Sequence, residues 1–157
     1  MCQLLRQGYI AALAPVGVPN CDIVVTDDIG DRLCAVQVKT RRNLGSDGGW
    51  YMSKKHEGLR SPTLVYCFVD FGKSPTDAPS TFVVPASVVG ETLQAAHQAW
   101  LHQPGKGGSS RNDSDFRRFL PDFSKVGLTS HPPGWLDEYR EVWNIIKASD
   151  AVYAKTG

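Results

Sequence analysis

Residues 63–71 (TLVYCFVDF) constrain this chain more than any other stretch, because they are its most apolar segment and have the length of a strand. A strand of that composition belongs in the buried middle of a sheet. Two runs upstream supply neighbours for it. Residues 21–26 (CDIVVT) are β-branched and bounded by turn residues, and residues 33–40 (LCAVQVKT) form a second such run. With 27–31 (DDIGD) as a tight connection, 21–40 read as a hairpin.

The rest of the chain is punctuated by glycine and proline. Residues 3–7 read as the end of a helix stopped by Gly8, and 9–13 as a short strand leading into a turn at 15–20. Residues 41–49 are polar and glycine-rich, hence a loop, and 53–60 are expected to form a short helix with Ser53 as its N-cap. After a further short strand at 81–84, Pro85 and Ser87 lead into a helix in which Val89, Leu93, Ala96 and Trp100 recur at helical spacing. Residues 103–115 have the composition of a mobile loop. Trp135, Leu136, Tyr139, Val142, Trp143 and Ile146 then predict an amphipathic helix over about 134–148 that packs on the sheet. The expected class is α/β or α+β, with four or five strands and three or four helices.

A chain of 157 residues forms one domain whose core buries about two-thirds of the unfolded surface, so it needs neither disulfide nor metal to fold. Its core is expected over about 3–100. Cys2, Cys21, Cys34 and Cys67 show no metal-ligand spacing, and the last three lie in apolar runs, where they read as small buried hydrophobes in a reducing compartment. With no apolar run near 18 residues and no signal-like start, the expectation is a soluble, cytoplasmic protein.

Formal charge is nearly balanced overall, which excludes a protein coated in bases, but it is unevenly spread. Residues 1–36 carry two bases and four acids, 37–60 carry six bases and two acids, and 61–157 carry nine bases and ten acids. The +4 segment contains Lys39, Arg41, Arg42, Lys54, Lys55 and Arg60. It begins on the second hairpin strand, where period-two alternation sends Cys34, Val36 and Val38 to one face and Ala35, Gln37 and Lys39 to the other. Asp22 opens the partner strand, so a carboxylate, an amide and an ammonium converge near one end of a small sheet.

These residues resemble the PD-(D/E)XK nuclease superfamily, the restriction-endonuclease-like fold. The resemblance rests on Asp22 followed by an apolar strand and then Gln37-Val38-Lys39 on the next, within a helix, three-strand meander, helix and strand over roughly 3–71. It implies a mixed four- or five-stranded sheet flanked by helices and a site in which Asp22 is the main ligand of Mg²⁺ or Mn²⁺. Gln37 would ligate through its side-chain carbonyl and Val38 through its backbone oxygen. Lys39 would position or activate the attacking water. DNA is the implied partner, held at its phosphates by Arg41, Arg42, Lys54 and Lys55, and a homodimer is expected if the short first helix leaves apolar surface open.

The residue types suit that chemistry. Phosphodiester hydrolysis uses a hard cation held by oxygens, which polarises the phosphoryl group and acidifies a bound water, while a lysine supplies charge where the transition state becomes more negative. The chain departs from the family pattern in two ways. Gln37 stands where Glu or Asp is usual, and before Gly8 there are only Gln3 and Gln7 where many relatives supply a Glu. Either the start is truncated or misplaced, or Glu57 substitutes, or the site is a decayed nucleic-acid-binding module; a protein-interaction subunit is a further alternative. Elsewhere, 105–110 lacks the order of a phosphate-binding loop. His56, His97, His102 and His131 read as surface histidines, and Trp50-Tyr51 as a core edge or a base-stacking pair.

Overall fold

The computed structural model describes residues 1–30, 33–44 and 48–148. In chain order these form helix α1 (Cys2–Arg6), strands β1 (Ile10–Leu13), β2 (Ile23–Thr26), β3 (Cys34–Arg41) and β4 (Trp50–Ser53), and a 3-10 turn (Lys54–Glu57). Strands β5 (Leu64–Asp70) and β6 (Ser80–Pro85) follow, then helix α2 (Ala86–Leu101), strand β7 (Phe116–Phe119), a 3-10 turn (Trp135–Tyr139) and helix α3 (Ile145–Ala148). Short 3-10 turns also occupy Lys106–Gly108 and Ser124–Val126.

Five strands form one mixed sheet in the order β1-β2-β3-β5-β6, while β4 and β7 pair as a separate antiparallel ribbon. The hairpin is β2 against β3, with Ile23 opposite Val36. Strand β5 lies between β3, to which it is parallel, and β6, to which it is antiparallel. Every side chain from Leu64 to Phe68 is buried, as its apolar run requires. The fold is thus the mixed α/β sheet the sequence predicts, with the ribbon added.

The two faces of the sheet carry separate cores. On one, Leu64, Tyr66, Phe68, Phe82 and Val84 pack beneath Val89, Leu93 and Ala96 of α2 and the inner side chains Trp50, Met52 and Phe119 of the ribbon. Phe68 and Phe119 stack at 4.3 Å. On the other, Val36, Val65, Cys67 and Val83 pack against Leu4 of α1, Trp143 and Ile146. Cys34 and Cys67 are free, buried thiols, and burial pushes both up to about 11. Gly90 of α2 sits where a Cβ would come within 2.8 Å of the Glu57 carbonyl, so the helix can lie on the 3-10 turn only with glycine there.

Two expectations need correction, and two segments carry structure to which the sequence reading assigned none. Residues 50–53 and 116–119 are strands, because two short segments far apart in sequence pair to cover a face of the sheet. The segment 53–60 forms a single 3-10 turn, and Ser53 makes no side-chain capping bond. Residues 103–115 are tied down: Asp113 Oδ1 contacts His97 Nε2 at 2.7 Å, Asp113 Oδ2 contacts Lys54 Nζ at 2.8 Å, and Arg111 lies 4.5 Å over the Trp100 ring.

The other correction concerns the expected closing helix, which is broken at Arg140 and Glu141. Arg140 is extended and bridges Phe82, and the Glu141 N–H donates to the Thr81 carbonyl at 3.0 Å with φ at +53°. Leu136 packs in the first core and Trp143 and Ile146 in the second. A straight helix would put them on one side; the chain instead passes round the β6 edge and serves both. Residues 31–32, 45–47 and 149–157 lie outside the described structure, so the tight connection at 27–31 and the loop at 41–49 are only partly described. No helix among the described residues is long and apolar enough to cross a membrane.

Candidate active site and nucleic-acid interface

Asp22 sits just before β2, its N–H donating to the Val36 carbonyl at 2.9 Å and its own carbonyl accepting from Ala14 N–H at 3.0 Å. Pairing of β2 with β3 stops at Val36, so the next backbone donor on that edge of β3 has no strand to meet. The Asp22 side chain fills the gap: Oδ2 accepts the Val38 N–H at 2.7 Å and the Gln37 side-chain amide N–H. Asp22, Gln37 and Val38 are therefore brought together, around a carboxylate that is itself exposed. Ala35 and Arg41 use their backbone groups on the β5 side, so alternation directs those of Val36 and Val38, carbonyls included, to the edge where Asp22 lies.

Gln37 is buried and lies opposite Tyr66 in the β3–β5 register; Lys39 lies opposite Phe68 on the same face. Lys39 is half-buried, and burial lowers its pKa below the ordinary lysine value, Asp22 pulling it up and Lys55 pushing it further down. Behind this pair is a residue that sequence reasoning placed on the surface. His56 is 3% exposed, and its Nδ1 lies 2.7 Å from the Tyr66 hydroxyl. Burial, with Lys39 and Lys55 nearby, holds it down at about 4, so the ring is neutral. His97 is likewise buried, against Asp113, whereas His102 is exposed and His131 half-buried. A histidine one residue from a lysine pair gives no signal of burial in sequence; its hydrogen bond to Tyr66 is a tertiary fact.

Lys39 lines a cleft of about 770 Å³ between the end of β3 and the ribbon, together with Arg41, Arg42, Trp50, Tyr51 and Arg118. The expected phosphate-holding residues differ in their commitments. Arg42 is exposed and 5.9 Å from the Phe71 ring, and Lys55 is exposed. Lys54 pairs with Asp113, which raises its pKa. Arg41 is held internally, Nε on Asp70 Oδ2 at 3.1 Å and its guanidinium 4.1 Å over the Trp50 ring. Glu57, considered as a substitute acid, is engaged by Arg117, a 4%-exposed residue of β7. Among the described residues no three His, Cys, Asp or Glu side chains gather as a metal-binding group.

The Trp50-Tyr51 pair divides. Trp50 is buried, donating Nε1–H to the Val69 carbonyl at 3.1 Å, while Tyr51 is 70% exposed. Arg118, which sequence reasoning did not single out, stacks 4.4 Å over the Tyr51 ring. FRRF at 116–119 gives no signal of this, since period two puts Phe116 and Phe119 on opposite faces; the ribbon turns Arg117 inward and Arg118 outward.

No protein-family model matches the chain, and no curated protein is similar to it in sequence. Among solved structures, a bacterial homing endonuclease is similar over 99% of this chain and 90% of that one, with a TM-score of 0.50 and 15% identity. The five-stranded mixed sheet with its flanking elements is a fold this chain shares with a nuclease.

Proposed function

We propose that the chain is a metal-dependent, nuclease-like domain that holds DNA and hydrolyses its phosphodiester bonds, built on the Asp-and-Gln-x-Lys variant of the PD-(D/E)XK site. The observation that carries this reading is the meeting of Asp22, Gln37 and Val38 at one strand edge, with Lys39 beside them lining a basic cleft. The donor set fits a hard cation such as Mg²⁺ or Mn²⁺: the Asp22 carboxylate, the Val38 carbonyl and the Gln37 amide oxygen, which rotation of the terminal amide presents in place of the N–H. When bound there, the cation would polarise the phosphoryl oxygen and lower the pKa of a water. Asp22 supplies the one formal negative charge of the set, so affinity for the cation should be low. Lys39 adds charge on the side where the phosphoryl oxygens gain it, and its half-burial strengthens that interaction. Arg42 and Lys55, both exposed, would fix the backbone by phosphate contacts.

Cleavage of supercoiled plasmid with Mg²⁺ or Mn²⁺ tests the reading, with Asp22→Asn and Lys39→Ala purified in parallel to expose contaminating nuclease. Nicking by the wild type that both substitutions abolish is the expected result; equal nicking by all three removes these residues from the mechanism. A second reading, a binding module that no longer cuts, is favoured by the engagement of Glu57 with Arg117, which leaves Asp22 as the carboxylate beside Gln37. It predicts salt-sensitive DNA binding that is indifferent to Mg²⁺.

A further inference from the structure

The β4–β7 ribbon is strongly two-sided. Its inner face, Trp50, Met52, Arg117 and Phe119, is buried. Its outer face carries Tyr51 opposite Arg118 and Phe116 opposite Ser53, with Tyr51 70% and Phe116 52% exposed. The two rings meet edge to face at 5.4 Å, and the Arg118 guanidinium lies over Tyr51. A ribbon that only covered a core would present polar residues to water. This one presents two aromatic rings and a cation.

Tyr51, braced by Phe116, also lines the cleft that holds Lys39, where the charge selects the occupant. Lys39, Arg41, Arg42 and Arg118 line it, and among the described residues no acidic side chain does. A second observation points to an anion. Arg41 is nine-tenths buried, and after its bonds to Asp70 its Nη1 has no hydrogen-bond partner among the described residues. A buried donor left so is costly unless an acceptor reaches it. Aromatic faces beside a cationic floor suit a nucleotide: a base has a π-face to stack and a phosphate to be neutralised.

We propose that this cleft takes one nucleotide of a strand that has left the duplex stack, its base against Tyr51, which Phe116 braces edge to face, and its phosphate at the Arg41 and Arg42 floor. The proposal rests on the nucleic-acid reading above and adds the form of substrate: DNA with an unpaired or easily unstacked base beside the site. A fully paired duplex must yield a base before it can fill the cleft, so it should bind less tightly than DNA with a base already free.

The test is fluorescence anisotropy in EDTA with three labelled DNAs: a paired duplex, the same duplex with a central mismatch, and the single strand. Tyr51→Ser and Phe116→Ser are compared with Tyr51→Trp, all at exposed positions, with circular dichroism and thermal unfolding to show that each variant is folded. The expected result for Tyr51→Ser is about a 10-fold loss of affinity for mismatched and single-stranded DNA, a smaller loss for the paired duplex, and an unchanged salt slope, since no phosphate contact is removed. Tyr51→Trp should stay within about twofold of the wild type. Affinities of both serine variants within about twofold of wild type on all three DNAs would overturn the inference, as would equal losses on paired and unpaired DNA. Failure of the wild type to bind any of the three would sink the nucleic-acid reading itself, which is a different result.

Discussion

The Asp22 carboxylate takes the backbone N–H of Val38 at 2.7 Å and so closes the edge of β3 where β2 ends. Asp22 thus has a structural task as well as a proposed chemical one, and two substitutions separate them. Asp22→Ala removes the acceptor from both the Val38 N–H and the buried Gln37 amide and should lower stability by about 1–2 kcal/mol, the worth of two partly exposed charge-assisted bonds. Asp22→Asn keeps an oxygen for that N–H and should unfold within about 0.5 kcal/mol of the wild type while losing metal-dependent activity. Urea unfolding of both variants alongside plasmid nicking checks this. Loss of stability in Asp22→Asn equal to that of Asp22→Ala would contradict it.

Arg41 binds Asp70 and covers Trp50, so its first role is to hold the end of β3 to β5. Arg41→Ala leaves a largely buried carboxylate without its cation, although Asp70 Oδ1 still accepts the Gly72 N–H at 2.8 Å. The expected loss is about 2–3 kcal/mol, seen as a lower urea midpoint with an unchanged slope. Arg41→Lys should recover little, because an ammonium can neither pair through two nitrogens nor stack flat on the indole.

His56 makes stability depend on pH. Its folded value of about 4 lies below the ordinary 6.5, so protonation favours the unfolded chain. The stabilisation is fully present above pH 6.5 and drains away as pH falls towards 4, amounting to about 3 kcal/mol at most. His56→Gln retains an acceptor for Tyr66 but does not titrate. Its urea midpoint should vary less than that of the wild type between pH 6.5 and 4.5; parallel pH profiles would show that other groups cause the dependence.

Gly90 offers a test of packing without charge. A methyl group there would meet the Glu57 carbonyl at 2.8 Å and force α2 from the Lys54–Glu57 turn. Gly90→Ala should therefore destabilise by about 1–3 kcal/mol, although alanine is intrinsically the better helix residue by about 1 kcal/mol. A thermal midpoint above that of the wild type would mean that the helix moves aside freely.

What could be read in the sequence was mostly local. The β2–β3 hairpin joins segments a few residues apart, and period two places Gln37 and Lys39 on one face without knowledge of the rest. The approach of Asp22 to Val38 follows from that hairpin. The ribbon was hidden because Trp50 finds Phe119 at a distance of 69 positions in sequence, and each strand alone is only four residues. His56 and Arg117 were missed because polar residues declare their burial through partners, here Tyr66 and Glu57, that come from other elements. At 135–146 the apolar spacing is real, but helical periodicity assumes one target surface, and this segment has two.

That double service has a consequence for how the molecule comes apart. Leu136 belongs to one core and Trp143 to the other, joined by a few residues fastened to β6 through Phe82 and Thr81. Releasing this clasp exposes apolar surface on both sides of the sheet at once, so neither layer can loosen at the clasp while the other stays sealed. The two cores are thereby linked into one cooperative unit, and melting should follow a single transition with tryptophan fluorescence and circular dichroism changing together.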